Sequence, residues 1–279
     1  EIDICSYVPA WRDVQASTYA EKVRQLNVDG MYIDEYGFAA SHFDCWSTEH
    51  GHARPGYAVV GERDTTQSIR QSIDRAKSGV AVYTEESPVD VVTQLQDGSF
   101  TYALSTAHRT TTRVPLNLTR FAIPSFKTIE ILYCDKPTGS WATGVKWVFF
   151  NGEAIWLEGP ATEWFEPETR AAIRRCYGLL HEHRDAFTTG RPTPLVPTLV
   201  GGVYANAFPV QNKTVYTLYN SRHRTVRGGL LSLPWSDGTS YEDAWNRRPA
   251  IVTRQGDQAV VTLELGPHDV GCLVARQKP

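Results

Sequence analysis

Short apolar runs that end in carboxylates alternate with helix-spaced stretches over the first two thirds of this chain, and the last third alternates with a period of two. The first such run is Gly30-Met31-Tyr32-Ile33-Asp34-Glu35-Tyr36-Gly37, where apolar and aromatic residues are followed by two acids and a glycine that breaks the extended run. Side chains alternate along a strand, so Tyr32, Asp34 and Tyr36 share one face, while Ile33 and Glu35 share the other. Residues 12 to 27 precede it with helical spacing, placing Tyr19, Val23 and Leu26 on one side. Residues 65 to 77 predict a second helix, closed by Ser78-Gly79 and followed by the strand Val80-Ala81-Val82-Tyr83-Thr84, which again ends in paired acids, Glu85-Glu86. Helix, strand, helix, strand at this spacing predicts parallel βα units.

Further along, residues 128 to 134 predict a strand and residues 166 to 187 a helix, whereas 142 to 150 and 154 to 157 fit helix and strand equally. Between 38 and 63 the composition is that of a long loop carrying His42, Asp44, Cys45, Trp46, His50 and His52. Loops of this length are usually lids or binding segments. Pro192, Pro194 and Pro197 mark a linker, and short alternating runs separated by turn signals follow it, predicting an antiparallel β-sandwich. The predicted domains are therefore 1–191 and 192–279.

Composition narrows the partners. The 279 residues are 41% hydrophobic, with 28 basic and 31 acidic side chains in no long single-sign run, which argues against nucleic acid. No apolar run reaches the ~20 residues that cross a bilayer, so no membrane partner is expected. The first residues carry no signal peptide pattern, and the compartment is left open. The five cysteines are scattered without a CxxC pair, which suggests neither a disulfide framework nor a zinc ribbon.

Two acid pairs at the ends of neighbouring strands suit glycoside hydrolysis, in which one carboxylate attacks or stabilises the anomeric carbon and another donates a proton to the leaving oxygen. Retaining enzymes hold the two carboxyls ~5 to 5.5 Å apart, and adjacent strands lie ~4.8 Å apart. On this reading Asp34 is the nucleophile and Glu85 the acid/base, with Glu86 as substitute. The plainer alternative is that such acids cap turns or pair with arginines. The run Tyr32-Ile33-Asp34-Glu35-Tyr36-Gly37 resembles the strand-four motif of (β/α)8-barrel glycoside hydrolases, in particular the enzymes acting on α-linked galactose or N-acetylgalactosamine. Tyr83-Thr84-Glu85-Glu86 stands where that group keeps its acid/base, and Tyr241-Glu242-Asp243-Ala244-Trp245-Asn246 is similar to a strand of the sandwich that follows such barrels.

The resemblance implies an α/β fold, the C-terminal portion of a (β/α)8 TIM-type barrel followed by an all-β antiparallel sandwich. Only about five strands fit before the linker, whereas a barrel needs eight. The expectation is that the rest of the barrel lies outside this chain and is a possible partner for it. An oligosaccharide or polysaccharide substrate is implied, with no cofactor. Tyr32, Glu35, Tyr36, Trp46, His50 and His52 become candidate sugar contacts. The 38 to 63 loop also offers metal-ligand types, but their spacing matches no standard motif and no metal is expected. Asp97-Gly98-Ser99-Phe100 reads either as a second substrate loop, with Asp97 as a contact, or as packing. His181-Glu182-His183 is expected at the surface. The rival to an enzyme is a non-catalytic carbohydrate-binding protein or an inactive barrel fragment.

Overall fold

A computed structural model describes residues 4–34, 44–85, 90–101, 116–133, 141–158 and 166–277. The chain forms two compact units, Glu1–Thr101 with Phe126–Ile129, and Tyr102–Ser125 with Glu130–Pro279. The boundary expected at 192 falls inside the second.

In the first unit, helix α1 (Pro9–Leu26) begins at a proline, which the first turn tolerates, and ends at Asn27 in the left-handed region at φ 51°. Strand β1 (Gly30–Ile33) follows, then α2 (Ala58–Ala76), β2 (Ala81–Thr84), the single turn α3 (Asp90–Thr93) and β3 (Gly98–Thr101). β1 pairs with β2 in parallel, Tyr32 opposite Tyr83 and Ile33 opposite Thr84, and β2 pairs with β3 in parallel. The expected alternation is realised. Ile33, Val80 and Val82 pack against Val23 of α1 and Ile69 and Ile73 of α2, with Met31 beside them. Tyr32 and Tyr83 have the other parity and meet the ring of Phe100, at 4.8 and 6.4 Å between centroids. Two expectations are corrected. α2 starts at Ala58, inside the stretch read as loop, because its first turns bury polar rather than apolar residues, Glu62, Thr65 and Thr66. Residues 98 to 101 are a strand, too short and too rich in Gly and Ser to show a period.

The second unit holds α4 (Leu118–Ala122), capped by the Asn117 side chain, the end of β4 (Lys127–Tyr133), α5 (Trp141–Asn151), β5 (Ala154–Glu158), α6 (Pro167–Glu182) and α7 (Arg184–Phe187). β1 to β5 stand in sequence order in one five-stranded sheet. α5 was ambiguous in sequence because Val145, Trp147, Val148, Phe149 and Phe150 are all buried, leaving no polar face to set a period. Gly152 ends the turn after it at φ 65°, and a Cβ there would come within 2.7 Å of Phe187 and 2.8 Å of Phe208. Only glycine satisfies both demands.

The sandwich consists of β6 (Val203–Val210), β7 (Lys213–Asn220), β8 (Val226–Pro234), β9 (Thr239–Asp243), β10 (Arg248–Pro249), β11 (Ile251–Gln255), β12 (Gln258–Leu265) and β13 (Val270–Gln277). One sheet runs β10-β9-β13-β7-β6 and the other β11-β12-β8, with antiparallel pairing throughout. Leu218, Leu230, Leu231, Val261, Leu263 and Leu273 fill its interior. A second core lies between the sandwich and the preceding helices, where Phe149, Cys176 and Leu179 meet Phe208, Val215 and Cys272. The main-chain carbonyl of Phe150 accepts hydrogen bonds from the side chains of Asn206 and Thr217. The proline-rich stretch is no free linker, since Thr193 and Ala207 exchange backbone hydrogen bonds of 2.8 and 2.9 Å. His183, expected at the surface, has a side chain only 1% exposed. Its helix turns inward there to bring Ala186 and Phe187 into the core.

Candidate active site

Asp34 is the first residue beyond β1 and Glu85 the first beyond β2, each following one member of the Ile33–Thr84 pair. Two carboxylates thus leave adjacent parallel strands at their C-terminal ends, where barrel folds hold their chemistry. Asp34 lies in an exposed turn and Glu85 is half-buried. Burial, helped by the charge of Asp34, holds the Tyr19 phenol above its ordinary pKa. Tyr83 is likewise raised by burial, then by Asp97. Glu35, Tyr36, His42 and Glu86 lie outside the described residues.

The other candidates fall into different places. Tyr32 stands on the aromatic face with Tyr83 and Phe100, two residues before the candidate nucleophile. Asp97 precedes β3, at the opposite end of the strands. Its carboxylate accepts from the Arg70 guanidinium and, at 2.8 Å, from the Val82 amide, while its backbone bonds Val82 and Lys127. Arg70 also donates to the carbonyls of Val80 (2.9 Å) and Leu95 (3.1 Å). Asp97 therefore clasps α2, β2 and β3 together. Trp46 is 67% exposed, as a stacking platform would be.

His50 and His52 converge with Cys45 and with Cys5, one of the five cysteines whose scatter suggested no zinc ribbon. One ligand atom from each of the four lies within 4.8 Å of all the others. Cys5 Sγ is 3.5 Å from His52 Nε2, and Cys45 Sγ is 3.3 Å from His50 Nδ1. The backbone amide of Ser47, with smaller help from Cys5, His52 and His50, lowers the Cys45 thiol to about 7, against the opposing effect of burial. His52 is raised, chiefly by its hydrogen bond with the Ala53 carbonyl. Sequence spacing gave no signal for Cys5, which lies forty residues before Cys45. Tyr83 was also missed, although it stands to Glu85 as Tyr32 stands to Asp34.

The sequence matches no protein-family model and no curated protein. Solved structures match the fold. An α-amylase from Geobacillus thermoleovorans, crystallised with acarbose, aligns at TM-score 0.63 and 12% identity, over 97% of this chain and 65% of that one. A maltogenic α-amylase from Thermotoga neapolitana gives TM-score 0.63 and 12% identity over 99% and 68%. A β-L-arabinopyranosidase from Geobacillus stearothermophilus, in complex with arabinose, gives TM-score 0.55 and 10% identity over 96% and 62%. The chain thus spans a little under two thirds of the first of these structures. The fold is that of the C-terminal portion of a (β/α)8 barrel followed by an antiparallel β-sandwich.

Proposed function

We propose that this chain carries the acid pair of a glycoside hydrolase that cleaves O-glycosidic bonds with retention, Asp34 acting as nucleophile and Glu85, or Glu86 in its place, as acid/base. The observation that carries this reading is the β1–β2 register. Ile33 and Thr84 are the last paired residues of the two strands, and Asp34 and Glu85 follow them directly, so the two acids leave neighbouring strands at the same level. The neighbours named above add weight, because those of the same fold are glycosidases and two were crystallised with carbohydrate ligands. In the first half-reaction the ionised Asp34 attacks the anomeric carbon as Glu85 protonates the departing oxygen. In the second, Glu85 takes a proton from water, which releases the sugar from Asp34.

An oligosaccharide or polysaccharide is the proposed substrate, with α-linked galactose or N-acetylgalactosamine as the first sugars to test. Tyr32, Tyr36 and Trp46 would stack on the sugar, and Glu35 would bond to it. The proposed division of the chain is a partial barrel to residue 191, completed by strands outside this chain, and a sandwich from 192. Asp34→Asn should abolish turnover of an activated aryl α-glycoside while leaving the circular dichroism unchanged. Glu85→Gln should lower it on the order of 10²–10⁴-fold. Undiminished hydrolysis by Asp34→Asn would sink the proposal. Saturable sugar binding with no turnover by the parent protein would favour the carbohydrate-binding alternative.

A further inference from the structure

We propose that Cys5, Cys45, His50 and His52 form a structural zinc site that pins the residues before α1 to the segment between β1 and α2. The geometry has the size of a mononuclear tetrahedral site. Zn–S bonds of about 2.3 Å and Zn–N bonds of about 2.0–2.1 Å place ligand atoms roughly 3.3 to 3.8 Å apart around a tetrahedron. The two S···N separations, 3.5 and 3.3 Å, fall in that range, and no pair among the four exceeds 4.8 Å. A two-iron cluster would put its thiolates and imidazoles on separate irons and need a wider spread. Two thiolates with two imidazoles suit Zn²⁺ better than the oxygen-seeking cations. Four protein ligands fill the coordination sphere and leave no place for a reacting water, so the site is structural.

The surroundings are built for this. His52 turns Nε2 towards Cys5 while Nδ1 meets the Ala53 carbonyl at 2.7 Å, the outer hydrogen bond that fixes a ligating imidazole in one tautomer. The ring of Tyr7 lies 4.6 Å from that of His52. Cys45 and Gly56 exchange backbone hydrogen bonds of 3.0 and 2.8 Å, which closes the segment carrying three of the ligands. A Cβ on Gly56 would stand 2.5 Å from the His52 ring, so this backbone approaches closer than any other residue allows. The chain from Cys5 to the start of α1 is itself anchored, since the Ser6 carbonyl accepts from Arg12 at 2.8 Å and from Thr65 at 3.2 Å. Because α1 and α2 lead into parallel strands, their N-terminal ends lie towards the strand ends that carry Asp34 and Glu85. The metal would stiffen the segment that leads from β1 into α2. On binding, each thiol releases its proton to solvent, and the two thiolates neutralise the dication.

The test is a cobalt and zinc titration of the full chain, stripped with a chelator under reducing conditions. One Co²⁺ per chain should bind, with the intense d–d absorption of tetrahedral cobalt and a thiolate-to-metal charge-transfer band, and one equivalent of Zn²⁺ should bleach both. Cys5→Ser should roughly halve the charge-transfer band and weaken binding by more than the ~100-fold that loss of an outer-shell partner can cost. The wild-type spectrum needs no variant to fold, so it decides the matter if Cys5→Ser proves unstable. Absence of bound cobalt after reduction, a weak octahedral spectrum, or a band that survives both Cys5→Ser and Cys45→Ser would overturn the site.

Discussion

The two units keep their sheets together in different ways. β1, β2 and β3 are four residues long, about 13 Å each, whereas β6, β7, β8, β12 and β13 run to eight or nine. Long strands bury enough alternating side chains to hold a sandwich by apolar packing. Short ones do not, and the first unit adds polar clasps. Arg70 gathers the Val80 and Leu95 carbonyls and Asp97, while Lys77 Nζ reaches the Asn27 and Val28 carbonyls and the side chains of Asn27 and Asp29, at 2.8 to 3.2 Å. Every one of these partners lies within three residues of a strand start. These clasps sit at the N-terminal ends of the short strands, opposite the ends that Asp34 and Glu85 follow. That is the division of labour barrel folds show between their two faces.

This contrast can be broken at its strongest point first. Phe208 is fully buried, 5.0 Å from the Phe187 ring and beneath the guanidinium of Arg120. Phe208→Ala should cost about 3–5 kcal/mol in urea unfolding of the second unit. Arg70→Ala should cost less, about 2–3 kcal/mol, by stranding the Val80 and Leu95 carbonyls and the Asp97 charge, and it should be felt in the first unit. A loss larger than that of Phe208→Ala would reverse the comparison. Below that comes a pH effect. Burial, with Lys213 and Arg276 nearby and Glu182 opposing, holds the His183 imidazole below its ordinary pKa. The unfolded chain then takes up this proton first, so stability is full above about pH 6.5 and declines as pH falls below it. His183→Gln should flatten that part of a plot of urea midpoint against pH. The smallest effect is expected for Lys77→Ala, about 1 kcal/mol or less, because its partner Asp29 stands in solvent.

Much of the fold was legible in sequence because its elements announce themselves locally. β1 and β2 show apolar runs ended by acids, and the sandwich strands alternate cleanly. The proline at 167 opens α6 where expected. The start of α2 was hidden because the hydroxyls of Thr65 and Thr66 bond back to the carbonyls of Gly61 and Glu62, letting polar residues occupy a buried face. β3 was hidden by its length. Tyr32, Asp34 and Glu85 were legible as candidates from alternation and strand ends, whereas Asp97 looked like a loop acid until its partners Arg70 and Val82 were seen.

By itself the sequence determined the first two helix–strand pairs, the parity that separates Tyr32 from Ile33, and the change from parallel units to an antiparallel sandwich. These are periodicities, and a period is a property of neighbours in the chain. Only the tertiary structure decided which end of the sheet Asp97 occupies, that Phe100 completes the aromatic face, and that Cys5 meets Cys45, His50 and His52. Those contacts join residues some fifteen to seventy positions apart, and closing such loops leaves no local pattern, because their cost is met by the packing of the whole unit.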